Sequence, residues 1–455
     1  SKTTGSREWS LQAPMRHPLN WREASFYDEA ALEQELQRVF EICHGCRRCF
    51  NLCDSFPRLF DLIDATPSEE VDAVDRKDYA TVADACTLCD LCFMTKCPYV
   101  PPHEFNLDFP HLMLRYRAAE LKAGKIPWSR RQLVETDRNG ALAGKVAPLA
   151  NWATKTDNAL TRPALESLAG LDRHAALPKF HSKTLVMRAK AASPTVNETA
   201  PGFGRKAVLY ATCFGNYNNP AIGEATRAVL ALNGVATEVV YLGCCGMPKL
   251  EQGDLAAVAA GARKLAAELS SYIERGYDVV ALVPSCALML KFEWPLILPK
   301  DEGVKRLAQA SFDVSEYVVD IAKKEGLAPG LTALPGGVTL HLACHARAQN
   351  MGAKAAEMLR LLPESEITVI ERCSGHGGSW GAMKENFATA LKVGRPVAKQ
   401  AAKSAKAFLA SECPLAGMHI LQGMEALDGE AKAPAEAFHP IELMARAYGL
   451  SPGAS

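Results

Sequence analysis

From residue 205 onward the chain alternates short apolar runs with longer segments whose apolar residues recur every three or four positions. "KAVLYAT" predicts a buried strand, "AIGEATRAVLALNG" a helix closed by Gly234, and "ATEVVYL" the next strand. The long three-four periodicity of "LAAVAAGARKLAAELSSYIERG" predicts a helix that leads into the strand "DVVALV". After "LPGG" the order starts again: strand "VTLHLA", a helix, strand "ITVIE", a further helix, strand "AFLA". Strands alternating with helices predict parallel sheets, here in two copies. Residues 1–200 follow another pattern. An arm and a short helix, "DEAALEQELQRVFEIC", fill residues 1–40. Residues 106 to about 200 are helical and irregular, with "LMLRYRAAELKAG" the clearest helix and "AASPTVNETAPGFG" a linker.

Cysteines fall in register in the two copies. Cys213, the pair Cys244–Cys245 and Cys286 stand at the predicted strand ends of the first. Cys344, Cys373 and Cys413 stand at the matching places in the second. First-to-second separations are 31 and 29 residues, and those from the pair's second place to the last are 41 and 39. Ligands at the carboxyl ends of neighbouring parallel strands converge on one crevice, where open α/β sheets bind their ligands.

The other eight cysteines come in two bursts, "ICHGCRRCFNLCDSFP" and "CTLCDLCFMTKCPY". A C-x2-C-x2-C run wraps backbone around three corners of an iron–sulfur cube, and in the bacterial-type ferredoxin motif the fourth thiolate comes from the other run. Crossing the ligands assigns Cys43, Cys46, Cys49 and Cys97 to one [4Fe–4S] cluster, and Cys86, Cys89, Cys92 and Cys53 to a second. Asp54 follows Cys53 where proline is usual, and the second run has four residues before its last cysteine; neither change removes a ligand. Paired zinc sites are the alternative, but zinc has no use for a third cysteine at the same spacing. Arg47, Arg48 and Lys96 lie inside these loops, either tuning cluster potential, docking an acidic partner or standing as solvated charge.

Composition narrows the class without changing this picture. The 455 residues are 48% hydrophobic and 22% charged with a formal net charge of zero, so no charge excess points to nucleic acid or an anionic membrane. The apolar runs are too short to span a bilayer. "SKTTGSREWSLQAPMRHPLNW" has no apolar signal core, which predicts an unsecreted, cytoplasmic protein in a reducing compartment. Fifteen cysteines there favour metal or redox chemistry over disulfides. "CSGHGGSWG" lacks the lysine and hydroxyl of a phosphate loop, and its glycines are expected to let backbone N–H groups approach sulfur. No flavin or nicotinamide motif occurs in the sequence.

"GCCGMP", with a cysteine some thirty residues before it and "PSC" some forty after, resembles the cysteine-rich CCG domain of the heterodisulfide reductase family. That domain is also found in the iron–sulfur subunits of anaerobic glycerol-3-phosphate dehydrogenase and glycolate oxidase. The resemblance implies a mixed α+β and α/β multidomain chain. Its parts are an arm at 1–40, a helical dicluster [4Fe–4S] ferredoxin-like module at 41–105 and a helical connector at 106–204. Two duplicated α/β CCG domains follow at 205–330 and 331–455. It also implies electron transfer with a flavin dehydrogenase, a ferredoxin or a rubrerythrin-like diiron protein. A quinone reached through a membrane partner, with peripheral attachment at the inner membrane, is a further implied acceptor.

The family pattern C…CC…CxxC is incomplete here. Met289 takes the fifth place in the first copy, leaving Cys213, Cys244, Cys245 and Cys286 for an iron–sulfur cluster, cubane or non-cubane, or a zinc. Ser374 and Ala416 interrupt the second, leaving Cys344, Cys373 and Cys413. There a cluster with an open or serine-ligated iron, a metal completed by His345, His376 or His419, and a vestigial site all stay open. Three functions follow in order: an iron–sulfur electron-transfer subunit; a disulfide, persulfide or quinone reductase with Cys245 as its catalytic residue; and a zinc-stabilised scaffold.

Overall fold

The computed structural model describes residues 14–429 and 433–450; the first thirteen residues of the expected arm lie outside them. Strands β1 (Lys206–Tyr210), β2 (Ala236–Val240), β3 (Asp278–Ala281) and β4 (Ser311–Asp313) form one sheet in the order β2-β1-β3-β4. Strands β5 (Val338–His341), β6 (Ile367–Ile370), β7 (Phe408–Ser411) and β8 (Ala437–Phe438) form a second in the order β6-β5-β7-β8. Every pairing is parallel, and the two sheets share one topology. β1 and β5 are central, with the chain leaving first to one side and then to the other, so each sheet has its switch point beside its first strand.

The six strands expected from the pattern are present; the edge strands β4 and β8 are additions. With three and two residues, they carry too little alternation to be read from sequence. Between β2 and β3 the helix Leu255–Glu274 starts where Asp254 Oδ1 accepts from Ala257 N–H at 3.2 Å. It buries Leu255, Val258, Ala262, Leu265 and Leu269 against the first sheet.

The residues before the sheets form helices, including Glu29–Cys46, Ser55–Asp64, Tyr79–Ala85 and Phe109–Lys122. Phe40, Phe60 and Met113 share a core with Leu265 and Val279 of the first sheet region. A second core joins the two sheets through Val229, Val280, Leu340 and Met444. Gly253 lets the first of these joints close: at φ +82° it stands where a Cβ would fall 2.4 Å from the backbone N of Ala118.

A buried charge cluster pins the same joint. Arg16 donates Nε to Asp108 at 2.7 Å, Nη1 and Nη2 to Asp90 at 3.0 and 2.9 Å, and Nη1 to Glu293 at 3.4 Å. Asp108 also caps the helix Phe109–Lys122, and Glu293 pairs with His111 Nε2 at 3.0 Å. Burial pushes the Glu293 carboxyl up, but His111 and Arg16 outweigh it and hold it at about 2.

Candidate metal and electron-transfer centre

All fifteen cysteines are free thiols. In the N-terminal region Cys43, Cys46, Cys49 and Cys97 line one small cavity, closed by Phe56, Phe60 and Tyr99. The helix Glu29–Cys46 presents Cys43 and Cys46, and Arg47 ends it in the left-handed conformation at φ 50°, turning the chain toward Cys49. Burial pushes the Cys43 thiol up, and Cys49, Cys97 and Cys46 push it further. Cys53 neighbours Cys89 and Cys86, and Cys92 neighbours Cys89, Cys86 and Cys53. The two groups also touch each other electrostatically, since Cys49 contributes to the rise at Cys92 and Cys89 to the rise at Cys49. Of the basic residues in these loops, Arg47 is tied to Asp64, Nη1 to Oδ2 at 2.9 Å, and lies over the Phe60 ring; Arg48 and Lys96 are exposed.

The remaining seven cysteines sit just beyond the carboxyl ends of β1, β2, β3, β5, β6 and β7, and all seven line one cavity of about 500 Å³. The two copies repeat each other in detail. Cys213 Sγ lies 3.8 Å from Cys244 Sγ, which also accepts from Gly246 N–H at 3.4 Å. Cys373 pairs with Cys344 and accepts from Gly375 N–H at 3.3 Å. In each copy the first cysteine of the pair is the acidic one. Contacts from Cys213 and Cys245 lower Cys244 well below an ordinary thiol, and a contact from Cys344 brings Cys373 to about 7. Their donors Cys213, Cys245 and Cys344 are correspondingly pushed up.

Among the described residues, no three His, Cys, Asp or Glu side chains stand gathered as a ready cage. The donor set nevertheless fits an iron–sulfur or zinc centre. It is made of soft thiols, and two of them receive backbone N–H groups of the kind that stabilise a ligating thiolate. Thr136 Oγ1, another lining residue, is buried beside the Cys213 and Cys244 thiols. A separation of 3.8 Å for Cys213 and Cys244 is also the edge of a tetrahedral single-ion site with bonds of about 2.3 Å.

The three candidate histidines all line the cavity, and each ring has a partner. His345 has Nδ1 at 2.9 Å from Ser285 Oγ and Nε2 at 3.1 Å from the Leu88 carbonyl. His419 Nε2 stands 3.0 Å from the Ala390 carbonyl. His376 Nε2 accepts from Gly378 N–H at 3.2 Å, and burial holds its ring neutral, at about 3. Ser374 is buried beside Cys373, Ala416 is buried beyond Cys413, and Met289 is buried in the first copy.

Sequence reasoning missed the residues that roof this cavity. The connector supplies Leu133, Thr136, Leu171 and Phe180, and Asp137 Oδ2 accepts from Cys244 N–H at 3.1 Å. Thr87 and Cys89 reach the same space from the N-terminal region. "TDRNGALAG" is polar and small, and neither its periodicity nor its composition marks it as lining the cysteine-lined cavity.

Parallel sheets carrying sulfur at their carboxyl ends, twice over, define a class, and residues 207–291 and 338–420 each match the CCG cysteine-rich domain. The chain thus carries two stretches that match this domain, one in each sheet region. Over 325 residues it is 28% identical to one of the subunits of the anaerobic glycerol-3-phosphate dehydrogenase of Escherichia coli, covering 69% of this chain and 76% of that one. It is 25% identical over 297 residues to one of the subunits of the fumarate reductase (CoM/CoB) of Methanothermobacter marburgensis, 62% and 55% of the two chains. To one of the subunits of the dihydromethanophenazine:CoB–CoM heterodisulfide reductase of Methanosarcina acetivorans it is 27% identical over 263 residues, 54% and 59%. All three relatives are thus parts of redox enzymes. No helix among the described residues is long and apolar enough to cross a membrane.

Proposed function

We propose that this chain is an iron–sulfur electron-transfer subunit of an oxidoreductase. In this reading two [4Fe–4S] clusters are held by Cys43, Cys46, Cys49 and Cys97, and by Cys86, Cys89, Cys92 and Cys53, in a ferredoxin-like module. A further centre is held by Cys213, Cys244, Cys245 and Cys286. One observation carries it: Cys89 of the N-terminal region lines the same cavity as all seven cysteines of the two CCG copies. Thiols of successive groups also act on one another electrostatically: Cys49 with Cys89 and Cys92, Cys53 with Cys373, Cys344 with Cys89, and Cys413 with Cys286. Clusters held along that line would supply one-electron carriers close enough to pass electrons from the N-terminal region to the crevice. The protein's part is to hold them, to donate N–H groups from Gly246 and Gly375 to their sulfurs, and to keep water away.

The redox-enzyme subunits among the relatives, and the lack of any flavin or nicotinamide motif, support a partner that does the substrate chemistry. The resemblance names a flavin dehydrogenase, a ferredoxin or a rubrerythrin-like protein. Alone, the chain is expected to show no organic-substrate turnover, and to gain it with its flavoprotein or diiron partner. Robust turnover by the isolated chain would contradict this.

The roofed cavity favours a second reading, reduction of a disulfide, persulfide or quinone at the first CCG site. Its size suits a small ligand, and among the described residues no lysine or arginine lines it. Under that reading Cys245→Ser abolishes turnover while the N-terminal clusters stay reducible; unchanged turnover excludes it.

A further inference from the structure

The second CCG group is one thiolate short of four, and the loop at Cys89 lies against it. Leu88 and Asp90 both take the left-handed conformation, at φ 51° and 62°, which is uncommon for residues other than glycine. The loop is fixed on both sides of Cys89. The Leu88 carbonyl stands 3.1 Å from His345 Nε2, and Asp90 is gripped by both Nη atoms of Arg16. Thr87 packs on Gly377, where a Cβ would fall 2.6 Å from Thr87 Cγ2, so the glycine-rich loop after Cys373 closes directly onto this turn. The result is a Cys89 thiol that lies in sequence between Cys86 and Cys92 and lines the same cavity as Cys344, Cys373 and Cys413.

Resting on the reading that these sulfurs hold metal, we propose that Cys89 is a shared thiolate, bridging the second N-terminal cluster and the metal of Cys344, Cys373 and Cys413. Two separate four-thiolate centres would need eight sulfurs, and the two groups together contain seven. One bridging sulfur gives each centre four. No histidine or serine ligand is then required, and the second CCG group becomes the entry point from the N-terminal clusters to the crevice.

The test compares Cys86→Ala, which removes an unshared ligand of the same N-terminal cluster, with Cys89→Ala and Cys344→Ala. Full chains are purified anaerobically. Iron plus zinc is counted per chain, and electron paramagnetic resonance is recorded after reduction. Cys86→Ala is expected to lose one centre and Cys89→Ala two. Cys344→Ala is expected to lose the second CCG metal and to shift the g-values of the N-terminal cluster that remains. Equal metal loss in the Cys86 and Cys89 variants overturns the proposal. If Cys86→Ala fails to fold, Cys344→Ala decides, and an unchanged N-terminal signal or unchanged metal overturns it. A wild-type chain free of metal would instead sink the reading on which the proposal rests.

Discussion

Replacing Arg16 with methionine is expected to destabilise the protein by about 3–5 kcal/mol, the usual cost of stranding a buried charge by removing its partner. Arg16 faces Asp90, Asp108 and Glu293, and its side chain is only 11% exposed. Methionine keeps most of the packing over the Phe93 ring, which the guanidinium covers at 4.5 Å, but leaves those carboxylates without their shared cation. The double variant R16M/D90N should recover part of the loss, because one stranded carboxylate is gone. Urea unfolding at neutral pH measures both. A loss below about 1 kcal/mol, in the range of a solvated surface pair, would contradict the account of this cluster.

The second large effect is expected at Gly375. Its φ is +84°, and a Cβ there would fall 2.3 Å from the Ala390 carbonyl oxygen and 2.7 Å from Gly394 N. Gly375→Ala therefore combines left-handed strain of about 1–2 kcal/mol with a backbone clash that costs about 1–3 kcal/mol or more. Gly375 N–H also donates to Cys373 Sγ, so relief of the clash displaces the sulfur that this loop holds. A lower melting temperature together with loss of the second CCG metal is the expected outcome, with the Cys43 group as the unaffected internal reference. Normal metal content at an unchanged melting temperature would contradict the prediction.

Much of this arrangement was legible in the sequence, for physical reasons. A buried parallel strand is a short continuous apolar run, so β1, β2 and β3 and their repeats β5, β6 and β7 could be read, and with them the crevice that their cysteines share. The function of "CSGHGGSWG" was half legible. Gly375 brings an N–H to sulfur as expected, whereas Gly377 and Gly378 serve close contact with Thr87 and Glu251. What could not be read depends on contacts between residues far apart in sequence. Arg16 meets Glu293, and His345 meets the Leu88 carbonyl, and neither pair follows any spacing rule. The roof over the cavity was hidden for the same reason: Thr136 and Asp137 sit in a polar helix whose role appears only once the first CCG copy is folded beneath it.

The most direct test of the account is anaerobic purification with quantification of iron, zinc and acid-labile sulfide, read with electron paramagnetic resonance of the reduced protein. The account predicts brown protein with at least about eight irons and a matching amount of sulfide per chain, the content of two cubane clusters, and signals from reduced [4Fe–4S] centres. Colourless, iron-free protein that is nevertheless folded and active would contradict it.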